Sequence, residues 1–138
     1  MPAKDKFHSS LCIALEKDGW RITDDPLYLK VDDIEFYIDL GAERLLGAEK
    51  EGQKIAVEIK SFLGQSEVTE FHLALGQILN YKLALSKTEP DRQLYLAIAQ
   101  DTYEAFFSRK FVQDSLQFYA VKLVIFDYYR EEVILWKE

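Results

Sequence analysis

Two carboxylates and a lysine fall on neighbouring apolar segments of this chain. In IAVEIKSF (55–62), Glu58 and Lys60 alternate with Val57 and Ile59, which is the period-2 pattern of a strand with one apolar face. Asp39 ends the apolar run IEFYID, and 18 residues (positions 40 to 57) separate it from Glu58. That length suffices for a strand and a hairpin, so two adjacent strands could bring both carboxylates to one end of a sheet.

Paired carboxylates beside a lysine suggest one particular chemistry. Carboxylate oxygens are hard ligands that suit Mg²⁺, which commonly takes only one or two protein carboxylates and keeps several waters. A nearby lysine can orient the attacking water, and the metal neutralises charge that builds on a phosphodiester. The alternative for Glu58 and Lys60 is an ordinary ion pair on a solvated strand face, because Glu-x-Lys is a common tripeptide.

A helix that follows could contribute two further polar groups. In LGQILNY (75–81), Gln77 and Tyr81 lie at i and i+4 on one helix face. They could reach the carboxylate end of the sheet and position a water or a phosphate. The alternative is an ordinary pair at the boundary of the helix core, and Glu16, a further candidate carboxylate, is expected to be exposed to solvent.

Other chemistries have less support. His8 and His72 are the only histidines, and without ligand spacing around them we expect surface or capping residues rather than a zinc site. Cys12, the single cysteine, lies in an apolar helical run and is expected to be a buried structural thiol. GAERLLGAEKEG (41–52) lacks the Gly-Lys-Ser/Thr ending of a phosphate loop, and nothing predicts a sugar cleft for a glycosidase carboxylate pair.

Composition predicts one folded domain over 1–138. Apolar residues make up 49% of the 138 residues and aromatic residues 14%, enough for a hydrophobic core. MPAKDKFHSS (1–10) has no apolar signal core and no run reaches the length of a membrane span, so we expect a cytoplasmic protein.

The charge argues against a basic nucleic-acid-binding module. The chain has 17 basic and 24 acidic residues and a net charge of −7, which on average repels phosphate backbones. A local basic patch could still form near the candidate site, from Lys50, Lys54, Lys60, Lys82, Lys87 and Arg92.

The first half of the chain changes from helical to strand periodicity. Apolar residues at helical spacing predict a helix from about Asp5 to Asp18, which ends at Gly19. The runs after it predict an antiparallel meander with a tight turn at Glu51-Gly52-Gln53. These runs are WRIT, PLYLKV, IEFYIDL, RLLGAEK and KIAVEIKSF.

The second half predicts two helical stretches and three strands. Ser66 begins a long helix that ends at Thr88-Glu89-Pro90-Asp91, with a core stripe of Val68, Phe71, Leu75, Ile78 and Leu79. QLYLAIA is a buried strand, Asp101 can cap a helical stretch to about Phe118, and KLVIFD and VILW form strands around the turn YYREE. The order predicts an α/β fold, with a central sheet covered by helices.

Taken together, blocks along nearly the whole chain resemble the XisH family, cyanobacterial proteins named fdxN-element excision controlling factors. The matching blocks, in order, are MPAKD, the GW at Trp20, IDLGAE (38–43), GQKIAVEIKSF (52–62), ALGQILNY (74–81) and EPDRQLYLAI (89–98). The resemblance implies a restriction-endonuclease-like core of the PD-(D/E)XK superfamily, a central mixed β-sheet flanked by α-helices.

The resemblance also assigns roles to the candidate residues. The Asp of the superfamily motif falls on Asp39 and its Glu-x-Lys on Glu58 and Lys60, so Asp39 and Glu58 would bind Mg²⁺ or Mn²⁺ and Lys60 would orient the water. Gln77 and Tyr81 resemble a Gln-x-x-x-Tyr helix motif of related nucleases. The motif's proline is replaced by Ile38, and Glu43 is a rival for the upstream carboxylate if the strand bulges at Gly41.

The family name implies a role in the excision of a DNA element. A separate site-specific recombinase would perform the excision, with a companion excision controlling factor, and this chain would act on DNA as a metal-dependent nuclease-like domain. The alternative is a catalytically silent protein that binds partners through an aromatic surface, although these aromatics could equally pack on the sheet: Phe106, Phe107, Phe111, Phe118 and Tyr119. Nucleases of this fold often act as dimers, so a homodimer is a further expectation.

Overall fold

The computed structural model describes residues 6–44, 52–64 and 66–138. Its elements in chain order are α1 (His8–Lys17), β1 (Arg21–Asp24), β2 (Leu27–Val31), β3 (Ile34–Ile38), β4 (Leu40–Arg44), β5 (Gln53–Ile59), α2 (Glu67–Thr88), β6 (Gln93–Ala99), α3 (Gln100–Thr102), a π-helical turn (Tyr103–Phe107), α4 (Lys110–Phe118), β7 (Lys122–Asp127) and β8 (Glu132–Lys137).

A mixed sheet of six strands forms the centre of the fold. Its strand order is β1-β4-β5-β6-β7-β8. The pairs β5–β6 and β6–β7 are parallel, and the other pairs are antiparallel. The sheet is flanked by helices, as the sequence predicts, and the segment that carries Glu58 is an interior strand.

Helices cover both faces of this sheet, and strand alternation assigns each residue to one face. On β6, Ala97 packs in the cluster of α1, whereas Ile98 packs in the cluster of α2 and α4. On β5, Val57 belongs to the α1 cluster, whereas Ala56 packs against the C-terminal half of α2. Glu58 shares the face of Ala56 because side chains two apart on a strand point the same way.

The predicted meander is wrong in its pairing. Strands β2 and β3 pair only with each other, as a separate hairpin, and β1 pairs with β4 in the large sheet. The hairpin buries Leu27, Leu29 and Ile38 against α2, so its apolar face is covered without a place in the main sheet. Most of the predicted strand RLLGAEK and part of the predicted turn at Glu51-Gly52-Gln53 lie outside the described residues.

The long helix α2 begins and ends as predicted, but only Phe71 and Ile78 of its predicted core stripe are fully buried, and Leu75 and Leu79 are partly exposed. The hydroxyl of Ser66 accepts a hydrogen bond from the amide of Thr69 at 3.2 Å, which satisfies a free amide of the first turn. Phe71 and Ile78 are buried, whereas Val68 is 52% exposed. Val68 lies in the first turn, before the helix reaches full contact with the sheet.

The predicted continuous helix from Asp101 to Phe118 is interrupted. A π-helical turn follows α3, and α4 starts afresh at Lys110. Asp101 is not the cap, because the N-cap position is Ala99. The π turn carries the consecutive residues Phe106 and Phe107, whose rings are both buried.

The last two strands form an antiparallel pair around the YYREE turn, as predicted. At the other end of the described chain, the predicted first helix is confirmed as α1, with Leu11, Ala14 and Leu15 buried; it begins at His8, and the predicted start at Asp5 lies outside the described residues. Among the described residues, no helix is long and apolar enough to cross a bilayer.

Candidate metal centre at the end of β5

The structure brings Asp39 and Glu58 into direct contact. Strand register pairs Leu40 with Val57, so the next antiparallel pair is Asp39 with Glu58. The amide of Asp39 donates to Glu58 Oε1 at 3.2 Å, and the amide of Ile59 donates to Asp39 Oδ2 at 2.8 Å. Each carboxylate therefore has one oxygen held by the backbone of the facing strand, and its orientation is fixed.

Glu58 is buried, and its surroundings oppose its negative charge. It is 5% exposed, and Lys60 Nζ lies 3.4 Å from its Oε2. Burial, followed by the charge of Asp39, raises the pKa of Glu58 to about 8, although Lys60 acts in the opposite direction. One ammonium thus compensates incompletely for two adjacent carboxylates.

The helix α2 contributes Tyr81 to the same neighbourhood. Its hydroxyl donates a 3.3 Å hydrogen bond to the carbonyl of Tyr37, two residues before Asp39, and its ring meets Phe36 edge-on at 6.1 Å. Burial and the charges of Glu58 and Asp39 raise the pKa of Tyr81 to about 12. Tyr81 therefore anchors α2 to the hairpin that leads into Asp39.

Gln77 lies one turn before Tyr81 on the same stripe of α2. Its side-chain oxygen is buried and has no hydrogen-bond partner among the described residues. A buried amide oxygen of this kind is uncommon, because such groups lose their hydration on burial. Helix α2 therefore carries a buried hydrogen-bond acceptor on the stripe that also carries Tyr81.

The rival carboxylate Glu43 lies elsewhere. It pairs across the sheet with Lys54, four residues along each strand from Asp39 and Glu58, which is about 13 Å at strand spacing. Its carboxylate binds the Arg21 guanidinium, and this contact holds the pKa of Glu43 below its ordinary value. Asp39, rather than Glu43, is the neighbour of Glu58.

The donor set at this centre fits a small divalent cation. Asp39 and Glu58 are hard oxygen ligands on two rigid strands, and each has a second oxygen beyond the one on the backbone amide. Burial and then the charge of Asp39 raise the pKa of Glu58, and Lys60 does not fully offset them. A bound Mg²⁺ or Mn²⁺ would offset the carboxylate charge, and such an ion commonly takes only one or two carboxylates.

The expectations for the remaining potential ligands have different outcomes. His72 and Glu16 are exposed, as expected. The expectation that His8 is a surface or capping residue is wrong, because His8 is 5% exposed and 2.8 Å from the Asp25 carboxylate. Cys12 is half-buried against the α1 cluster rather than fully buried. The signal that was missed is the i, i+4 spacing of His8 and Cys12.

The basic side chains expected near the centre are largely engaged elsewhere. Arg92 is buried, with its guanidinium on Glu89 and on the carbonyl of Ile55. Lys82 donates to the carbonyls that end α4, at Tyr119 and Ala120. Lys60 is the basic residue of this set that contacts the carboxylates, and Lys50 lies outside the described residues.

Fold and geometry define an α/β protein with a six-stranded mixed sheet and a buried carboxylate–lysine cluster where an interior strand ends. The chain belongs to the XisH family, since the family model described as XisH protein matches residues 1–134.

Two crystal structures share the fold. An XisH family protein from Nostoc punctiforme PCC 73102 is 44% identical with a TM-score of 0.89, covering 97% of this chain and 100% of that chain. A fdxN element excision controlling factor protein from Anabaena variabilis is 45% identical with a TM-score of 0.87, covering 98% of this chain and 100% of that chain. No curated protein matches the chain.

Proposed function

We propose that this chain acts in the controlled excision of a DNA element, and that its carboxylate–lysine cluster hydrolyses DNA phosphodiesters with Mg²⁺ or Mn²⁺. The excision role is supported by family membership and by the name of the Anabaena variabilis relative. The observation that carries the hydrolytic role is the contact of the two carboxylates: the Asp39 amide donates to Glu58, the Ile59 amide donates to Asp39, and Lys60 lies on Glu58. The cluster would then be a centre of the restriction-endonuclease-like PD-(D/E)XK type.

Asp39 and Glu58 would hold the metal ion. The backbone amides that bind one oxygen of each carboxylate keep both side chains in a fixed orientation. Metal binding would therefore cost little side-chain conformational entropy. When bound, the ion supplies positive charge that offsets the charge developing on the phosphodiester.

Lys60 and Gln77 would position the attacking water. The Lys60 ammonium, on Glu58 at 3.4 Å and partly open to solvent, can donate a hydrogen bond that aims a water at the phosphorus. The oxygen of Gln77, which has no partner among the described residues, can accept a hydrogen bond from that water. Tyr81 would act as a positioning residue, because its hydroxyl already donates to the Tyr37 carbonyl.

The test is a Mn²⁺ titration by calorimetry, paired with cleavage assays on supercoiled, duplex and single-stranded DNA. The variant carries Asp39→Asn and Glu58→Gln, which remove both charges but keep oxygens that can accept the two backbone hydrogen bonds. We expect wild type to bind Mn²⁺ and the double variant to lose binding and cleavage. Glu16→Gln, which neutralises an exposed carboxylate on α1, is the matched control and should behave as wild type.

The assays are repeated with the companion factor present, because excision in this family is expected to involve one. Cleavage that survives in the double variant would place the activity elsewhere, in the chain or in a contaminant. Wild type that binds no Mn²⁺ and cuts no DNA in either condition would refute the hydrolytic role, while leaving the excision role open to the second candidate.

That second candidate is a catalytically silent control protein that binds the companion factor or the recombinase. Its support is the net charge of −7 and three exposed aromatic rings. Phe111 and Phe118 on α4 are 76% and 80% exposed, and Tyr119 follows them, whereas Phe106 and Phe107 pack inside the fold. A partner with a basic rim and an apolar centre would complement this surface.

A further inference from the structure

A second group of metal-ligating side chains lies around α1, on the other side of the sheet from Glu58. His8 and Cys12 are one turn apart on α1, and Asp25 lies in the connection between β1 and β2. One ligand atom from each of the three residues lies within 4.8 Å of the other two. Because α1 covers the sheet face opposite to Glu58, this group is separate from the carboxylate–lysine cluster.

His8 is the unusual member of the group. Its side chain is only 7% exposed, and neither ring nitrogen makes a hydrogen bond within the described residues. Its Nε2 is 2.8 Å from Asp25 Oδ1, so the two atoms are close but not aligned for a hydrogen bond. A buried imidazole without hydrogen bonds is costly, and a metal ligand bond would satisfy it.

We propose that His8, Cys12 and Asp25 form a binding site for a zinc-like transition-metal ion. An imidazole, a thiolate and a carboxylate are all ligands that Zn²⁺ accepts, and thiolate disfavours Mg²⁺. Three protein ligands leave a fourth tetrahedral position for water. The Asp25 side chain is 33% exposed, which gives the ion a path from solvent.

The distances suit this ion after a small adjustment. Ligand atoms around tetrahedral zinc stand about 3 to 4 Å apart. A separation of 4.8 Å must therefore shorten by about 1 Å, whereas His8 Nε2 and Asp25 Oδ1, at 2.8 Å, must move slightly apart. Cys12 is half-buried and the Asp25 side chain is 33% exposed, so the adjustment would fall on these two side chains.

The site would join α1 to the β1–β2 connection. His8 begins α1 and Asp25 precedes the hairpin of β2 and β3, so one ion would link two elements that β1 separates in the sequence. Metal binding that requires the folded arrangement adds to folding stability, and it releases the thiol proton.

Cobalt titration tests the site, since Co²⁺ replaces Zn²⁺ and reports thiolate ligation by an intense near-ultraviolet absorption band. We expect wild type to develop this band with one equivalent of Co²⁺ and to lose it when Zn²⁺ is added. Cys12→Ser should remove the band. His8→Gln and Asp25→Asn should each weaken Zn²⁺ binding more than about 100-fold, because even outer partners of metal ligands contribute about 10- to 100-fold.

The controls separate this site from the proposed nuclease centre. The variant with Asp39→Asn and Glu58→Gln should keep the cobalt–thiolate band, and excess Mg²⁺ should not displace it. Circular dichroism checks that each variant is folded, and Asp25→Asn decides the outcome if His8→Gln does not fold. Absence of the band in folded wild type, or its persistence at full strength in folded Asp25→Asn, would overturn the proposal.

Discussion

At the residue scale, Glu58 is a carboxylate that the fold buries without full compensation. Its backbone partner, the Asp39 amide, and the Lys60 ammonium favour its charged form, whereas burial and the Asp39 carboxylate oppose it. Burial prevails, so the metal-free protein holds Glu58 with a raised pKa. A strongly shifted pKa at a buried carboxylate is typical of functional positions, where a residue is kept for its chemistry rather than for stability.

The raised pKa predicts how the stability of the metal-free protein depends on pH. A group whose pKa is higher in the folded than in the unfolded state favours folding at low pH, and this contribution disappears as pH rises through the folded value. For Glu58 the decline should run from about pH 4.5 to about pH 8 and reach about 2 to 4 kcal/mol. Urea unfolding at a series of pH values, with chelator present, measures it.

Glu58→Gln is the informative variant for this dependence, since it removes the titration and keeps the shape. We expect its stability to be flatter with pH than that of wild type and higher at pH 8. Glu16→Gln, at an exposed position, should follow the wild-type curve. A Glu58→Gln curve parallel to wild type across this range would show that Glu58 does not titrate with a raised pKa.

At the scale of elements, the candidate centre depends on how α2 and the β2–β3 hairpin meet. Tyr81 donates to the Tyr37 carbonyl and packs on the Phe36 ring. Asp39 leaves the hairpin two residues after Tyr37. The helix that begins at Ser66 therefore sets the position of a carboxylate on another element.

Tyr81→Phe tests whether this contact positions or catalyses. Loss of one hydrogen bond should lower the free energy of unfolding by about 0.5 to 1.5 kcal/mol, with Mn²⁺ affinity close to wild type because the ring still packs on Phe36. Urea unfolding and calorimetry measure the two quantities. Unchanged stability together with abolished DNA cleavage would instead make the hydroxyl part of the chemistry.

Much of this arrangement follows from local pattern. The alternation around Glu58 predicts the strand and the face it shares with Ala56, and Ser66 predicts the start of α2. The antiparallel pairing that sets Asp39 opposite Glu58 also agrees with the sequence, because the chain between them fits a strand and its return. Composition and periodicity do not assign metal binding to Asp39 and Glu58 or water orientation to Lys60; the family resemblance implies these roles.

The remaining features depend on tertiary contacts that no local pattern records. The strand predicted from WRIT, β1, pairs with β4 rather than with β2, its neighbour in sequence. The β2–β3 hairpin packs its apolar face on α2. The π-helical turn carries Phe106 and Phe107, which both pack into the same cluster. His8 looks like a surface residue until the β1–β2 connection brings Asp25 beside it.

At the scale of the whole molecule, charge limits how this chain can approach DNA. The net charge is −7, and long-range repulsion of this sign slows the association of a polyanion. Arg92 and Lys82 are held by internal partners, so they do not form an open basic groove beside Glu58. A divalent cation between the carboxylates and the phosphate would reduce the repulsion locally.

We therefore expect the isolated chain to bind duplex DNA weakly at physiological salt, with a dissociation constant above about 10⁻⁴ M, the weak end of ordinary non-specific binding. Fluorescence anisotropy with a labelled duplex, with Mg²⁺ or with chelator, measures it. Since phosphate contacts release counterions, few contacts also mean a shallow dependence on salt. Affinity that rises on addition of the companion factor would assign the basic surface to that partner. Tight binding by the isolated chain with a steep salt dependence would contradict the expectation and require a basic surface on this chain itself.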